Sequence, residues 1–426
     1  MRPNTLEQWL QWQTTLHDQA IDLGLARVRE VADRLDIGKI AQRVVTVAGT
    51  NGKGSTVAAY ENWLFRSGYS VASYTSPHLL KYNERIKYNL QAATDAELCA
   101  AFEAVEDARG DTALTYFEYG TLAALHFMQT RQPDFAILEV GLGGRLDAVN
   151  VIDPDLVHLT PIGLDHQAWL GDDRESIGYE KAGVLRHGVD VVLNDPDPPR
   201  SVLAEIDRLG CHCLQCGRDF RLLEQDGTQF LWQGGDREVW LENVLLGDHQ
   251  AHNLAGVVAG LSLLMPLQQY SDAALRDGFS GTQIAGRLQT LPSPLSCRLM
   301  VDVGHNQDAA RVLAQSLGQL RSAHGKVIVL LGMLQDKQPE LFVEALRSTV
   351  DEWWLLSLGS ERGLQAGELA ARIGSQVVPK LQFEQAGDAL DHALSSLSNQ
   401  DIMLATGSFL TVESLLQALS AADDQK

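Results

Sequence analysis

Lys53 stands in the run VVTVAGTNGKGST, residues 44 to 56, where β-branched residues stop at Gly49 and a glycine-rich turn leads into a helical pattern. That order suits a phosphate. Glycines let backbone N–H groups close on phosphate oxygens, the start of a helix carries partial positive charge, and a lysine adds a compact full one. Ser55 and Thr56 offer hydroxyls to a phosphate or a metal. The spacing is not that of the common GxxxxGKS loop, which needs glycine at 47 and a hydroxyl at 54, where this chain has Val47 and Gly54. A plain glycine-rich turn is the alternative, so the surroundings have to decide.

Three further runs place reactive side chains just past a strand. SVASYT, residues 70 to 75, is followed by Ser76, Pro77 and His78; DFAILEV, residues 134 to 140, carries Glu139 into GLGGRLDAVN; DLVHLT, residues 155 to 160, leads to Asp165 and His166. The segment RESIGYEKAGV reads as a short helix bearing Lys181. In an open α/β sheet the carboxyl ends of the strands form the ligand edge, so Ser76, Glu139 and His166 are expected at one edge with Lys53. An acid at a buried strand end beside a phosphate loop suits magnesium. Plainer readings are an ion pair of Glu139 with Arg145, a backbone-bonded His166 beside Asp165, and Lys181 paired with Glu180 or Asp165.

The elements that would position these groups are legible from periodicity. Leu6, Trp9, Leu10 and Leu16, then Val28, Val31 and Leu35, follow helical spacing on either side of IDLGLARV. Helices are expected over 56–66, 95–108, 117–129 and 249–264, and the Gly-Gly turn in QFLWQGGDREVWLEN signals a small antiparallel flap. LPSPLS, residues 291 to 296, reads as a linker, after which strands alternate with helices again, including a weak strand near Val377. The acidic tail AADDQK is expected to fray. The fold class is therefore α/β, a domain with a parallel sheet, the phosphate-loop candidate and a small antiparallel flap (1–290), followed by a smaller α/β domain with a second parallel sheet (297–426).

The totals agree with two domains: 426 residues at 45% hydrophobic content exceed one ordinary core. A formal charge of −21 argues against nucleic acid or an anionic membrane as partner, leaving anionic small molecules met by local cations such as Lys53, Arg85, Arg145, Lys181 and Arg287. The polar start and the lack of a long apolar run make the cytoplasm the expected compartment. Cys211, Cys213 and Cys216 with His212 lack a second ligand pair and read as ordinary thiols, and His249 and His252 lack a third zinc ligand.

GTNGKGS, SPHLLKYNERI, LTYFEYGT, EVGLGGRLDAVN, GLDHQAWLG, EKAG, AGRLQ, DVGHNQ, GMLQDK and TGSF occur in the order seen in the folylpolyglutamate synthases of the Mur ligase superfamily, and the resemblance spans nearly the whole chain. IDLGLARV, LTYFEYGT and DRESIGYEKAG resemble the bifunctional bacterial members, which are both dihydrofolate synthase and folylpolyglutamate synthase; a monofunctional folylpolyglutamate synthase is the alternative. The resemblance implies an ATPase domain and a Rossmann-like domain with the active site in the cleft between. It implies ATP contacts from Thr50, Asn51, Gly52, Lys53, Gly54, Ser55, Asn253, Arg287, Asp302 and His305. It also implies two magnesium ions placed by Ser76, Glu139, His166 and a carbamylated Lys181, with Lys53, His166, Lys181 and Arg287 serving catalysis. Dihydropteroate would meet Asp22, Leu23, Gly24, Thr115, Tyr116, Phe117, Glu118, Leu146, Asp147 and Ala148. The implied substrates are ATP, L-glutamate, dihydropteroate and reduced folates, handled by a monomer. Val149, Gly304 and Gln307 depart from the family pattern, which has threonine, alanine and proline there.

Overall fold

A computed structural model describes residues 2–19, 21–226, 228–374 and 376–423. The end of the AADDQK tail, 424–426, lies outside the described residues. The chain divides into two compact units, the first made of Met1–His78, Tyr82–Val244 and Gln250–Thr282, the second of Leu79–Lys81, Leu245–His249 and Gln283–Lys426.

The first unit is built on strands β1 (Arg43–Ala48), β2 (Val71–Tyr74), β3 (Ile86–Tyr88), β4 (Gln91–Ala92), β5 (Phe135–Glu139), β6 (Leu156–Leu159), β7 (Asp190–Leu193) and β8 (His212–Gln215), in the order β4-β3-β2-β5-β1-β6-β7-β8. All neighbours are parallel except β2 with β3 and β3 with β4. The chain moves from β1 to β2 on one side, returns through β5, and passes to β6 on the other side. A crevice therefore opens at the carboxyl end of β1.

Both faces of that sheet are covered, which is why β1 reads as a nearly continuous apolar, β-branched run. Val44, Ala136 and Leu138 enter a core with α1 (Leu6–Gln13), α2 (Ala26–Arg34), α4 (Asp95–Arg109) and α5 (Tyr116–Arg131). Val45, Val47 and Ile137 enter the opposite core with α3 (Lys53–Arg66), α9 (Asp248–Leu264) and α10 (Asp272–Asp277). Along the far edge lie α6 (Gln167–Leu170), α7 (Arg174–Ala182) and α8 (Arg200–Leu209). The flap has three antiparallel strands, β9 (Phe220–Asp226), β10 (Gln229–Gly234) and β11 (Arg237–Glu242). The sequence signalled only the β10–β11 hairpin, because FRLLEQD breaks the apolar alternation.

In the second unit, β12 (Gln289–Thr290), β13 (Arg298–Val301), β14 (Val327–Leu331), β15 (Glu352–Leu356), β16 (Leu381–Phe383) and β17 (Ile402–Thr406) run in the order β12-β13-β17-β14-β15-β16. Only β12 is antiparallel to its neighbour. Helices α11 (Gln307–Leu320), α12 (Pro339–Leu346), α13 (Ala366–Ile373), α14 (Ala386–Ser396) and α15 (Phe409–Asp423) accompany this sheet.

Three expectations need correction. LPSPLS connects β12 to its antiparallel partner β13 inside the second unit, and the division falls instead between Thr282 and Gln283. Pro-Ser turns mark hairpin connections as readily as linkers. The strand expected near Val377 lies at Leu381–Phe383, while Val378 is 86% exposed. Helix α3 starts at Lys53, not at 56, so the lysine belongs to the helix's first turn. No helix among the described residues is long and apolar enough to cross a membrane.

Candidate active site

The phosphate-loop candidate is held in shape by two glycines that no other residue could replace. Gly49 has φ +140°, and a Cβ there would sit 1.9 Å from Thr160 Oγ1; Gly52, the N-cap of α3, has φ +92°, and a Cβ would sit 2.7 Å from Asn253 Oδ1. The loop is strapped to the exit of β6. Thr50 N donates to Pro161 O at 3.0 Å, Asn51 N to the same oxygen at 3.4 Å, and Thr50 Oγ1 meets Gly163 N at 3.0 Å. The backbone N–H groups of Thr50 and Asn51 thus support the loop, and the donors left for a phosphate belong to the start of α3. At Gly54 an added Cβ would meet nothing within 4 Å. Ser55 and Thr56 are buried, and the Thr56 hydroxyl faces protein instead of the open side.

These contrasts make a prediction. Gly49→Ala must both leave left-handed φ space and collide with Thr160, so it should destabilise the fold by about 3 kcal/mol in urea unfolding. Gly54→Ala meets no atom and gains helix propensity, so the free protein should gain about 1 kcal/mol. It should nonetheless lose ATP affinity, because the methyl projects into the open space above the helix start.

Two lysines converge on one carbonyl. Lys53 Nζ donates to Gly49 O at 3.1 Å and Thr50 O at 3.2 Å, and Lys181 Nζ donates to Gly49 O at 2.8 Å. Lys181 is buried, and burial together with the Lys53 charge lowers its pKa to about 7, with Asp165 and Asp147 opposing. The Lys53 charge and the start of the helix together suit a polyanion, while the Lys181 amine is held toward its neutral form by burial and that neighbouring charge.

Lys181 is placed by the GLGGRLDAVN loop. Arg145 N donates to Glu180 O at 2.8 Å and the Arg145 guanidinium pairs with Glu180 at 2.8 Å, while Asn150 Nδ2 donates to Gly183 O at 3.1 Å. Arg145 is therefore the partner of Glu180, and the alternative pairings of Arg145 with Glu139 and of Lys181 with Glu180 do not describe the molecule. Asp147 is buried inside the same loop, accepting from Leu142 N at 2.8 Å and Val149 N at 3.0 Å, and burial raises its pKa to about 6. The unusual Val149 sits in this turn and contributes its N–H, which threonine would supply equally.

Strand register brings the acid to the same edge. Val47 of β1 lies opposite Glu139 of β5, and Tyr74 of β2 opposite Leu138. Ser76 N donates to Glu139 Oε2 at 3.1 Å, so Ser76 and Glu139 are neighbours. His166 takes a left-handed conformation (φ 52°) at the start of α6, its N–H donates to Asp165 Oδ1 at 2.8 Å, and its Nε2 lies 3.8 Å from Asp165 Oδ2. Among the described residues no three His, Cys, Asp or Glu side chains gather as a metal cluster. The expected set holds only Glu139 and His166 of those types. Glu139 and the Ser76 hydroxyl suit a hard cation; Lys181 as an ammonium does not, and fits only as an anion.

The segments expected at dihydropteroate form one network. Thr115 caps α5 in a reciprocal capping box with Glu118, whose carboxylate accepts at 2.8 Å from Arg27 Nε; Arg27 Nη1 reaches Asp22 Oδ2 at 2.5 Å, and His17 Nε2 lies 3.3 Å from the same oxygen. Leu23, Gly24 and Leu146 are half-buried, Ala148 is buried in the core between α2 and α5, and Phe117 packs its ring against Gly141. Arg27 and His17 were missed from the sequence, although Arg27 sits within IDLGLARV itself.

Asn253 lies on α9 beside Gly52 and donates to Gln250 Oε1 at 2.9 Å, which places its amide at the phosphate loop. In the second unit Asp302 follows β13, buried, accepting from Leu288 N at 2.9 Å and Gly304 N at 2.7 Å. Burial raises its pKa, and Arg287 opposes. A Cβ on Gly304 would lie 2.8 Å from Asp302 Oδ1, so the glycine gives that carboxylate room. His305 Nδ1 sits 2.9 Å from Val303 O. Gln307 opens α11 behind the Asn306 cap, a position where proline is favoured only because its missing N–H costs nothing.

Residues 286–409 match the family model "Mur ligase, glutamate ligase domain". The chain is 38% identical to the dihydrofolate synthase/folylpolyglutamate synthase of Escherichia coli (strain K12), covering 98% of this chain and 96% of that one. It is 37% identical to the protein of that name from Haemophilus influenzae, covering 96% of each. Among solved structures, E. coli FolC in complex with DHPP and ADP superposes with a TM-score of 0.92 at 37% identity, covering 99% of both chains. A bifunctional folylpolyglutamate synthase/dihydrofolate synthase with Mn, AMPPNP and L-glutamate bound gives 0.89 at 40% identity, covering 98% of both.

Proposed function

The chain belongs to the dihydrofolate synthase/folylpolyglutamate synthase family of Mur ligases, and we propose from that membership and its site geometry how its residues carry out the reaction. It is an ATP-dependent ligase that joins L-glutamate to dihydropteroate and to the γ-carboxyl of folates. A carboxylate is a poor electrophile at neutral pH. Its oxygen therefore attacks the γ-phosphorus of ATP, ADP leaves, and the amine of glutamate displaces phosphate from the acyl phosphate, losing a proton. No protein nucleophile is required.

What this chain supplies is position and charge. The helix start at Gly52 to Ser55 holds phosphate oxygens, and Lys53 swings from Gly49 O and Thr50 O to the β- and γ-phosphates, stabilising charge that grows during transfer. Thr50 and Asn51 keep the loop closed. Asn253 is assigned to the adenine, Asp302 and His305 to the ribose side, and Arg287 to the phosphates. Ser76, Glu139, His166 and Lys181 are assigned to magnesium, which when bound supplies positive charge to the phosphoryl oxygens. Lys181 joins that set as a carbamate: its neutral amine adds to CO₂ and releases a proton, converting a buried cation into a buried anion. Asp22 to Gly24, Thr115 to Glu118, and Leu146 to Ala148 are assigned to dihydropteroate. The enzyme is assigned as a cytoplasmic monomer.

The observation that carries this reading is the meeting of Lys53 and Lys181 on Gly49 O at the strand edge that also bears the Ser76–Glu139 contact. Purified protein with ATP, magnesium and L-glutamate should release ADP and form amide with dihydropteroate and, separately, with tetrahydrofolate. Amide formation with tetrahydrofolate alone would reduce the activity to that of a monofunctional folylpolyglutamate synthase. Turnover of a muramyl peptide in place of both would overturn the folate reading.

A further inference from the structure

Arg85 is a buried cation without a counter-ion. The residue is 8% exposed, and among the described residues no carboxylate pairs with its guanidinium. Its Nε donates to His78 Nδ1 at 2.8 Å, and its charge lies close enough to the buried Tyr74 hydroxyl to act on it. The guanidinium carbon lies 5.2 Å from the Tyr82 ring centre and 5.7 Å from that of Tyr116. Aromatic faces and a neutral histidine offset only part of the cost of taking a guanidinium out of water. A buried charge of this kind is retained where an anion arrives to complete it.

Register locates the anion. Tyr74 lies opposite Ile86 on one side and Leu138 on the other, and Thr75 N donates to Arg85 O at 2.8 Å. One residue further on, Arg85 and Glu139 therefore flank the Thr75–Ser76 segment from the two neighbouring strands. Their backbones are roughly 10 Å apart, two inter-strand spacings. On its other flank Arg85 touches Tyr116, which opens α5 inside the segment assigned to dihydropteroate. It stands between the residues assigned to the pterin and those assigned to the metal.

We propose that Arg85 binds the carboxylate of the pterin-bearing substrate, the benzoate carboxylate of dihydropteroate, and orients it for attack on the γ-phosphate. This rests on the dihydropteroate assignment above. Tyr116 and Tyr82 fix the guanidinium plane and His78 fixes its Nε, leaving the forked end for the two carboxylate oxygens.

The test is a cycle of two protein and two ligand forms. Dihydropteroate and its analogue with hydrogen in place of the carboxylate are titrated calorimetrically into wild type and Arg85→Gln. Wild type should bind the analogue about 30-fold more weakly than dihydropteroate, the range of a charged hydrogen bond. Arg85→Gln should bind both alike, with ATP affinity unchanged as a control on folding. Arg85→Lys should recover part of the difference. Equal discrimination in wild type and Arg85→Gln would overturn the proposal while leaving the folate reading intact, and so would no discrimination in wild type. Failure of wild type to bind dihydropteroate at all, with ATP binding normal, would overturn the folate reading and this proposal with it.

Discussion

Lys53→Met is expected to lower kcat by about 10³-fold, the size of effect seen when one preorganised charge donor is removed from a transition state. The fold should survive the change. Lys53 lies in the first turn of α3, and its side chain is half-buried over the Gly49 and Thr50 carbonyls, the first of which keeps Lys181 as a donor. Methionine matches the stem in length and helix propensity, so a thermal scan should show a change within a few degrees. KM for ATP should rise far less than kcat falls, because the helix start still holds the phosphates in the ground state. Steady-state kinetics with both acceptors checks this split. A variant that loses ATP binding but turns over normally at saturation would place Lys53 in ground-state binding alone.

That prediction could be framed from the sequence because glycine spacing, strand punctuation and the single lysine fall within thirteen consecutive residues. The meeting of Ser76 with Glu139 at the sheet edge was legible for the same reason. Glu139 ends a strand, and Ser76 and His166 come after strands that are largely apolar, and parallel sheets align such ends. What sequence could not resolve were choices among partners. The sequence offered Glu139 to Arg145 and Glu180 to Lys181, and only the close packing of Gly144 and Gly183 against α7 and Arg145 sends Arg145 to Glu180. Arg27 was invisible because its partners Asp22 and Glu118 lie 5 and 91 residues away, and a guanidinium that links two elements leaves no periodic trace. The LPSPLS misreading has a related source. Turn chemistry reports that the chain changes direction and says nothing of whether a domain ends there.

Lys181→Ala is expected to abolish measurable amide formation, a loss of about 10³-fold or more, and to regain activity when short carboxylates such as formate or acetate are added. The geometry sets up this outcome. An unmodified Lys181 is a buried ammonium aimed at Gly49 O beside the Lys53 charge, in a region where magnesium would add more positive charge. As a cation it opposes the site; as a carbamate it completes it. Burial and Lys53 hold its pKa near 7, against 10.5 for an ordinary lysine. At pH 7 a substantial share of the side chains is therefore neutral amine able to add to CO₂, compared with roughly 0.03% for a solvated lysine. The same shift gives an independent readout in CO₂-free buffer. The folded-state pKa lies below the unfolded value, so between about pH 7 and pH 10.5 the unfolded chain binds more protons, and the Lys181 contribution to stability grows as pH rises through that window. Below pH 7 lysine is charged in both states and its burial cost is fully present. Lys181→Met should accordingly flatten the pH dependence of urea unfolding over this window and stabilise the apo-protein most at pH 7 and below. Rescue of Lys181→Ala by carboxylates would assign the catalytic species as an anion. No rescue, together with activity of wild type that is indifferent to CO₂ removal, would make Lys181 a simple cation acting on phosphate.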